Sequence, residues 1–239
     1  MCISTARAIH GLCTRLGIQF NLPKSDLVPS QKKQYLGMVL DSVQARVFPS
    51  PERVTRFQSL AHTFLEDRAP TVVLWRSLLG HLASLERIVP GGRVHSRSLQ
   101  WCLKSHWKAA SDPTAWRVPP SQRCLEDLFW WMDPAHLCRG APFVMAPPEQ
   151  TLFSDASHYG WGAHLGDSLA SGVWSPEERR FHINHLEMMA VFLALQSFQQ
   201  ELSGSVVSLM SDNSTVVAYL RNSGGTRSES LSDLAGEVL

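Results

Sequence analysis

The sequence contains little that marks a membrane or secreted protein. No apolar run approaches the roughly 18 residues that a transmembrane helix needs. The N-terminus also lacks a basic segment followed by an apolar core and a cleavage site, which argues against a secretory signal peptide. We therefore expect an intracellular protein, cytoplasmic or nuclear, without a membrane partner.

Cysteine is scarce and poorly spaced for cross-linking or for zinc binding. No CxxC pair and no Cys/His cluster at zinc spacing occurs. The odd number of cysteines also argues against a disulfide framework, so free thiols in a reducing compartment are expected. The five are Cys2, Cys13, Cys102, Cys124 and Cys138.

The 239 residues, 44% hydrophobic and 18% charged, are typical of a globular protein with one large domain or two modest ones. The net charge of +1 hides an asymmetry. Residues 1–149 carry 18 Lys and Arg against 11 Asp and Glu, a net +7, whereas residues 150–239 carry 4 against 10, a net −6. This suits a first part that grips a polyanion and a second part that holds cations. Uneven solvation of two faces explains the charges equally well.

Three carboxylates stand where strands and a helix would bring them together. Asp155 ends the apolar run of TLFSD, and Asp212 ends that of VVSLMSD; both runs are typical of buried strands. Glu187 opens a run of strong helix formers, which predicts a place in the first turn of a helix. Clustered carboxylates select hard divalent cations, so the sequence predicts bound magnesium or manganese. Each acid taken alone is more simply an exposed surface residue.

The first 149 residues favour a mainly helical segment. A helical pattern from Met1 to Leu22 is broken at Gly17, and Tyr35 to Leu40 predicts a short strand with Gly37 inside it. Ser50, followed by proline, predicts the start of three successive helices that run to about residue 107. The proline-rich stretch 111–149 predicts a connector between two domains. Its paired tryptophans, Trp130 and Trp131, are expected to be buried rather than stacked on bases.

The string NLPKSDLVPSQKKQYLGMVLDS resembles the stretch after the polymerase active site in retroelement reverse transcriptases. The resemblance implies that Lys24 lies near nucleotide phosphates and that Tyr35, Leu36 and Gly37 form a turn that grips the primer end. It also implies that the three helices form a polymerase thumb. Taken alone, Lys24 is more simply a solvated loop lysine. No Y-x-D-D string occurs, which argues against polymerase activity from this chain.

The pattern after residue 150 predicts three strands, at Thr151–Ala156, Gly160–Leu165 and Ser171–Trp174, and then a helix, a parallel strand and a helix. With the strings FSDASHYGWGAHL, HINHLEMMAVFLAL and SDNSTVVAYLRNSGGTRS, this order resembles the ribonuclease H of DIRS-type retrotransposons, which lies directly behind the reverse transcriptase. The resemblance implies an α/β ribonuclease H-like fold that hydrolyses the RNA strand of an RNA/DNA hybrid. Two Mg²⁺ or Mn²⁺ ions would be held by the catalytic residues Asp155, Glu187 and Asp212.

Recognition of the RNA 2′-hydroxyl requires polar groups near these acids. The nearest candidates for nucleic-acid binding are Ser157, Asn184, Asn213 and Ser214. Turn and cap roles explain each of the four more simply when it is taken alone.

Members of this family carry a fourth carboxylate on a later helix, and Asp233 and Glu237 come too early to supply it. We therefore expect a polyprotein segment that is truncated at both ends. Its expected parts are the end of a polymerase palm (1–49), a thumb-like segment (50–110), the connector (111–149) and an incomplete ribonuclease H-like domain (150–239).

Two other functions remain open on the sequence alone. One is a catalytically inactive module that binds nucleic acid, for which the missing fourth acid and the basic first part are the motivation. The other is an ATP-using or transposase enzyme with the same layered fold. Only Gly224-Gly225 hints at a phosphate loop, and the thumb-like helices argue against both of these enzymes.

Overall fold

The computed structural model describes residues 2–26 and 28–239, without the side chains of Cys2 and Lys24. Its helices are α1 (Cys2–Arg15), α2 (Pro51–Glu66), α3 (Val72–Leu85), α4 (Arg97–His106), α5 (Gln122–Met132), α6 (Pro134–Leu137), α7 (Ile183–Ser197), α8 (Gln199–Leu202), α9 (Ser214–Arg221) and α10 (Glu229–Val238). Its strands are β1 (Lys32–Tyr35), β2 (Met38–Asp41), β3 (Arg46–Pro49), β4 (Ala141–Pro142), β5 (Gln150–Ala156), β6 (Gly160–Leu165), β7 (Ser168–Val173) and β8 (Val207–Met210). Across these described ranges, no helix has both the length and the apolar character that crossing a bilayer requires.

The first sheet has the order β1-β2-β3-β4, with antiparallel neighbours throughout. Strands β1 and β2 form a hairpin in which Tyr35 pairs with Met38, so only Leu36 and Gly37 lie in the turn. Both turn residues have left-handed φ, 48° at Leu36 and 74° at Gly37, as a two-residue hairpin turn requires. The predicted single strand from Tyr35 to Leu40 is therefore wrong, because Gly37 reverses the chain instead of interrupting one strand.

Helices α2 to α5 pack around one hydrophobic core. The Ser50 side chain caps α2 by accepting a hydrogen bond from the Arg53 amide, and the Thr71 side chain caps α3 in the same way from Leu74. These caps satisfy amides that have no partner within the helix, and the first confirms the helix start predicted at Ser50. The largest fully buried side chains of this core are Trp75, Trp131, Phe57, Phe64, Leu78, Leu82, Leu85, Leu99, Leu128 and Leu137.

The proline-rich stretch 111–149 contributes side chains to this same core. Helix α5 brings in Leu128 and Trp131, both fully buried. Trp130 packs edge-on against Trp131, with ring centroids 5.7 Å apart. Strand β4 pairs with β3, so that Val47 lies opposite Ala141. The stretch is therefore packed against the helices that precede it.

The second sheet has the order β7-β6-β5-β8, in which β5 is antiparallel to β6 and parallel to β8. The parallel pair requires a crossover, and α7 supplies it. This helix is buried along most of its length, between the sheet and helices α9 and α10. Three antiparallel strands, a helix, a parallel strand and a helix confirm the predicted order of elements.

Side chains of helix α4 donate hydrogen bonds to backbone carbonyls of the loop between α9 and α10. Arg97 donates hydrogen bonds to the carbonyl oxygens of Asn222, Ser223 and Gly224, at 2.5, 2.9 and 3.2 Å. Farther along α4, the Trp101 indole N–H donates to the Gly225 carbonyl at 3.0 Å, and the Lys104 ammonium donates to the Thr226 carbonyl. The helical part of the chain, α2 to α6, is thus joined to the domain of the second sheet through successive backbone carbonyls of one loop.

Candidate metal centre

Asp155 is the penultimate residue of β5 and lies on the exposed face of the second sheet. Side chains alternate along β5, with Leu152 and Ser154 buried and Phe153 and Asp155 exposed, because successive strand residues point to opposite faces. One carboxylate oxygen of Asp155 accepts a hydrogen bond from the Ala156 amide at 2.8 Å. The strand therefore presents this acid at its carboxyl end.

Glu187 reaches the same place from helix α7. The helix begins at Ile183 and is capped by His182, whose ring nitrogen accepts a hydrogen bond from the Asn184 amide. Glu187 is therefore in the second turn, and its predicted place in the first turn is wrong. The helix begins earlier than the run of strong helix formers because the histidine cap and Ile183 extend it towards the N-terminus.

Asp212 lies between β8 and α9, just beyond the end of the parallel strand. Because β5 and β8 are parallel, their carboxyl ends meet at the same edge of the sheet. The next residue, Asn213, caps α9 by accepting hydrogen bonds from the amides of Thr215 and Val216, at 3.0 and 3.1 Å. This cap fixes the backbone immediately after Asp212.

The three acids form one cluster in which ligand oxygens, one from each residue, all lie within 4.8 Å of one another. Glu187 is only 4% exposed, whereas Asp155 and Asp212 are open to solvent. Burial raises the pKa of Glu187 to about 7, with further contributions from the negative charges of Asp155 and Asp212. Its Oε2 atom is buried without a hydrogen-bond partner.

This donor set fits a hard divalent cation. A buried carboxylate oxygen without a partner is costly, and three neighbouring carboxylates repel one another. A cation bound among them would supply the missing partner and neutralise the repulsion, and all three acids are oxygen donors of the kind that Mg²⁺ and Mn²⁺ prefer.

Two of the four predicted polar neighbours are joined beside the cluster. The Asn213 side-chain amide donates a hydrogen bond to the Asn184 side-chain oxygen at 3.0 Å. This bond links Asn184, in the first turn of α7, to the cap of α9, which follows Asp212. Glu187 lies one turn farther along α7. The pair therefore ties two of the three acid-bearing segments together.

The other two polar neighbours are exposed. Ser157 follows β5 in the turn to β6, where its hydroxyl accepts hydrogen bonds from the amides of Tyr159 and Gly160 at 3.2 Å. Ser214 is the first residue of α9. Their positions, two residues after Asp155 and two after Asp212, place both beside the cluster, and their contact with nucleic acid stays a prediction.

The predicted primer-grip residues belong to the first sheet. Tyr35 is 59% exposed at the end of β1. The Gly37 carbonyl accepts hydrogen bonds from the Ser50 amide and from the Arg53 side chain, at 3.0 and 3.4 Å. The predicted role of Lys24 falls on a side chain outside the described part of the structure. The roles of all three stay predictions.

The sequence did not reveal a groove of about 950 Å³ on the exposed face of the second sheet. It borders Asp155 and Asp212, and its floor is apolar. Phe153 stacks on His164 within it, with ring centroids 4.5 Å apart. The alternation of β5 places Phe153 on the same face as Asp155, and this was the only sequence signal that pointed to the groove.

The family model of the RNase H-like domain found in reverse transcriptase matches residues 148–234. The matched range contains β5 to β8, α7, α9 and all three acids. Residues 148–234 form a ribonuclease H-like domain. This confirms the predicted fold class for this part of the chain, which follows a mainly helical segment. No protein with a curated description matches the chain.

Solved structures of foamy virus protease-reverse transcriptase are also similar to the chain. The complex with an RNA/DNA hybrid has a TM-score of 0.41 at 14% identity, covering 90% of this chain and 28% of that one. A complex with double-stranded DNA has a TM-score of 0.38 at 13% identity, covering 81% and 39%. The chain therefore spans well under half the length of these structures.

Proposed function

We propose that the chain is the ribonuclease H part, with an adjoining part of the reverse transcriptase, of a DIRS-type retrotransposon polyprotein. Its reaction is hydrolysis of the RNA strand of an RNA/DNA hybrid. The observation that carries this proposal is the cluster of Asp155, Glu187 and Asp212 with the buried, unpartnered oxygen of Glu187. We place its action inside the cell, in the cytoplasm or nucleus.

In this proposal Asp155, Glu187 and Asp212 hold two Mg²⁺ or Mn²⁺ ions. When bound, such ions supply activation of water and stabilisation of the leaving oxygen in phosphodiester hydrolysis. Asp155 and Asp212 are exposed to solvent, on the side from which the substrate would approach, while Glu187 contributes a buried ligand from α7. The Asn184–Asn213 hydrogen bond keeps the Glu187 and Asp212 segments in register.

Substrate binding would use polar groups near the cluster and the basic first part of the chain. Ser157, Asn184, Asn213 and Ser214 supply donors and acceptors for the 2′-hydroxyls that distinguish RNA from DNA. Residues 1–49, 50–110 and 111–149 would be the end of the palm, the thumb and the connector. Lys24 would then lie near the nucleotide phosphates, and Tyr35 and Gly37 would lie at the primer end, as the resemblance implies.

The test is cleavage of a labelled RNA/DNA hybrid in Mg²⁺. The full 239-residue chain should cut the RNA strand, and Asp155→Asn should abolish cutting while leaving the fold intact. Asp167→Asn is the matched control, since it removes one exposed acid from the neighbouring turn between β6 and β7. Cutting that survives Asp155→Asn, or that Asp167→Asn also abolishes, contradicts the proposed site.

A second candidate function is binding of nucleic acid without catalysis. It is favoured because the acids of α10 do not join the cluster formed by the described residues. Asp233 instead forms an ion pair with Arg123 at 2.7 Å. Salt-dependent binding of the hybrid without hydrolysis in Mg²⁺ or Mn²⁺ would support this candidate, and hydrolysis would exclude it.

A further inference from the structure

A second cleft lies between the helical part and the ribonuclease H-like domain. Its volume is about 540 Å³. One wall comes from the end of α3 and from α4, and the other from α9 and the loop that α4 holds. A smaller cavity of about 360 Å³ adjoins it, sharing Glu86 and Arg93. The two cavities exist only because the two parts of the chain are docked.

The walls of the cleft and its neighbour are strongly basic. Four arginines line them, and among the described lining residues Glu86 is the single carboxylate. The arginines are Arg87, Arg93, Arg97 and Arg227. Hence the lining has a formal net charge of +3, although the second part of the chain is acidic as a whole.

The positive charge in the cleft is only partly compensated. Glu86 pairs with Arg93 at 2.9 Å, and Arg97 is bound to carbonyl oxygens, which carry no formal charge. Burial, together with the charge of Arg93, lowers the pKa of Arg97. Arg87 and Arg227 are exposed to solvent. An anion in the cleft would relieve the repulsion among these groups.

We propose that this cleft binds the sugar-phosphate backbone of a nucleic acid. Ser214 and Thr215, at the start of α9, add hydroxyl groups to its wall, and guanidinium and hydroxyl groups are the donors that phosphates accept. Ser214, in the wall of the cleft, is two residues along the chain from Asp212. A nucleic-acid strand bound along the arginines therefore leads towards the carboxylate cluster. In this form the inference rests on the proposed function, because the bound backbone is that of the hybrid.

The experiment measures binding of a labelled RNA/DNA hybrid in EDTA, so that neither metal nor cleavage contributes. The double variant Arg87→Gln/Arg227→Gln should bind about tenfold more weakly, with a log–log salt slope smaller by about two. Arg97 is left intact because it also holds the loop. The matched control is Arg68→Gln/Arg76→Gln, which removes two exposed charges of the helical part outside the cleft. Thermal unfolding checks that both variants keep the fold.

Equal binding by the two double variants would overturn the proposal, as would a cleft variant that binds like the unchanged chain. Competition by polyglutamate as strong as that by DNA would assign the cleft to an acidic protein. If inorganic phosphate displaced the hybrid as well as DNA does at an equal concentration of phosphate groups, the cleft would be a site for small anions and not for a nucleic-acid backbone. A chain that binds the hybrid through the cleft but does not cut it in Mg²⁺ refutes the proposed catalysis and leaves the cleft standing.

Discussion

The buried carboxyl of Glu187 couples the stability of the metal-free protein to pH. Its pKa in the fold, about 7, lies above the 4.5 of an unperturbed glutamate. The folded state therefore holds a proton that the unfolded chain has already released. The stability that this group contributes is fully present below pH 4.5 and is lost as the pH rises through 7.

We predict that Glu187→Gln stabilises the metal-free protein at pH 8, because the amide cannot ionise beside Asp155 and Asp212. The melting temperature in EDTA should rise by several degrees and should fall less between pH 5 and pH 8 than in the unchanged chain. Mg²⁺ at pH 8 should stabilise the unchanged chain more than the variant. Glu201→Gln, at an exposed acid of α8, is the control; a similar change there would contradict the argument.

Gly37 is a second residue whose environment fixes its identity. A Cβ at this position would come within 2.6 Å of Cδ of Arg53, and the residue has a φ of 74°. Moving Arg53 away would break its hydrogen bonds to Gly37 and to Ser84. Gly17 has a similar φ of 72°, but nothing lies within 4 Å of the place that a Cβ would occupy there.

We therefore predict that Gly37→Ala lowers the free energy of unfolding by about 2–3 kcal/mol, and Gly17→Ala by about 1 kcal/mol. Both substitutions carry the strain of a left-handed alanine, whereas the first alone disturbs Arg53. Urea unfolding of the two variants measures the difference. Equal losses would show that the contact with Arg53 contributes nothing.

Among the elements, α9 connects helix capping to the carboxylate cluster. Asn213, the residue after Asp212, accepts hydrogen bonds from two backbone amides of this helix. Its side-chain amide also donates a hydrogen bond to Asn184. Ser228 caps α10 in a similar way, by accepting a hydrogen bond from the Leu231 amide. The two caps are chemically alike, but Asn213 alone adjoins an acid of the cluster.

We predict that Asn213→Ala and Ser228→Ala each destabilise the protein by about 1 kcal/mol through loss of a cap. Asn213→Ala should cost about 1 kcal/mol more, because the Asn184 oxygen loses its donor. It should also weaken Mg²⁺ binding, measured by calorimetry, which Ser228→Ala should leave unchanged. Matching Mg²⁺ affinities in the two variants would argue against a positioning role for Asn213.

At the scale of the whole molecule, the contact of α4 with the loop after α9 fixes the two parts relative to each other. Arg97 alone supplies three hydrogen bonds from a charged group, and bonds of this kind are individually worth about 1.5–3 kcal/mol. Arg123 adds an ion pair to Asp233 of α10. Between the two parts runs the exposed segment of Phe143, Val144 and Met145.

We predict that Arg97→Ala loosens this docking without unfolding either core. Chymotrypsin should then cleave after Phe143 several times faster, because the segment is no longer held between two docked bodies. Arg76→Ala, on the exposed face of α3, should leave the rate unchanged. A rate that Arg97→Ala does not alter would mean that other contacts hold the parts together.

The order of elements in the ribonuclease H-like domain and the three acids were predictable from the sequence. Strand alternation around Asp155, the apolar run before Asp212 and the helix formers after Glu187 are local signals, and local propensity decides where strands and helices form. Boundaries were less predictable. Helix α7 began earlier than expected because of its histidine cap. Gly37 formed a turn because glycine adopts a left-handed φ without a steric penalty.

Other features depended on the tertiary structure. The 4% exposure of Glu187 and its pKa of about 7 arise from packing α7 against the sheet. The four arginines of the cleft are spread from residue 87 to residue 227 and meet only when α4 docks on the loop. Residue identity and order are enough to specify which groups carry charge and to predict which segments form strands or helices. The tertiary structure decided which charges lose water and which meet, because burial and Coulomb energy depend on distances that the order of residues does not set.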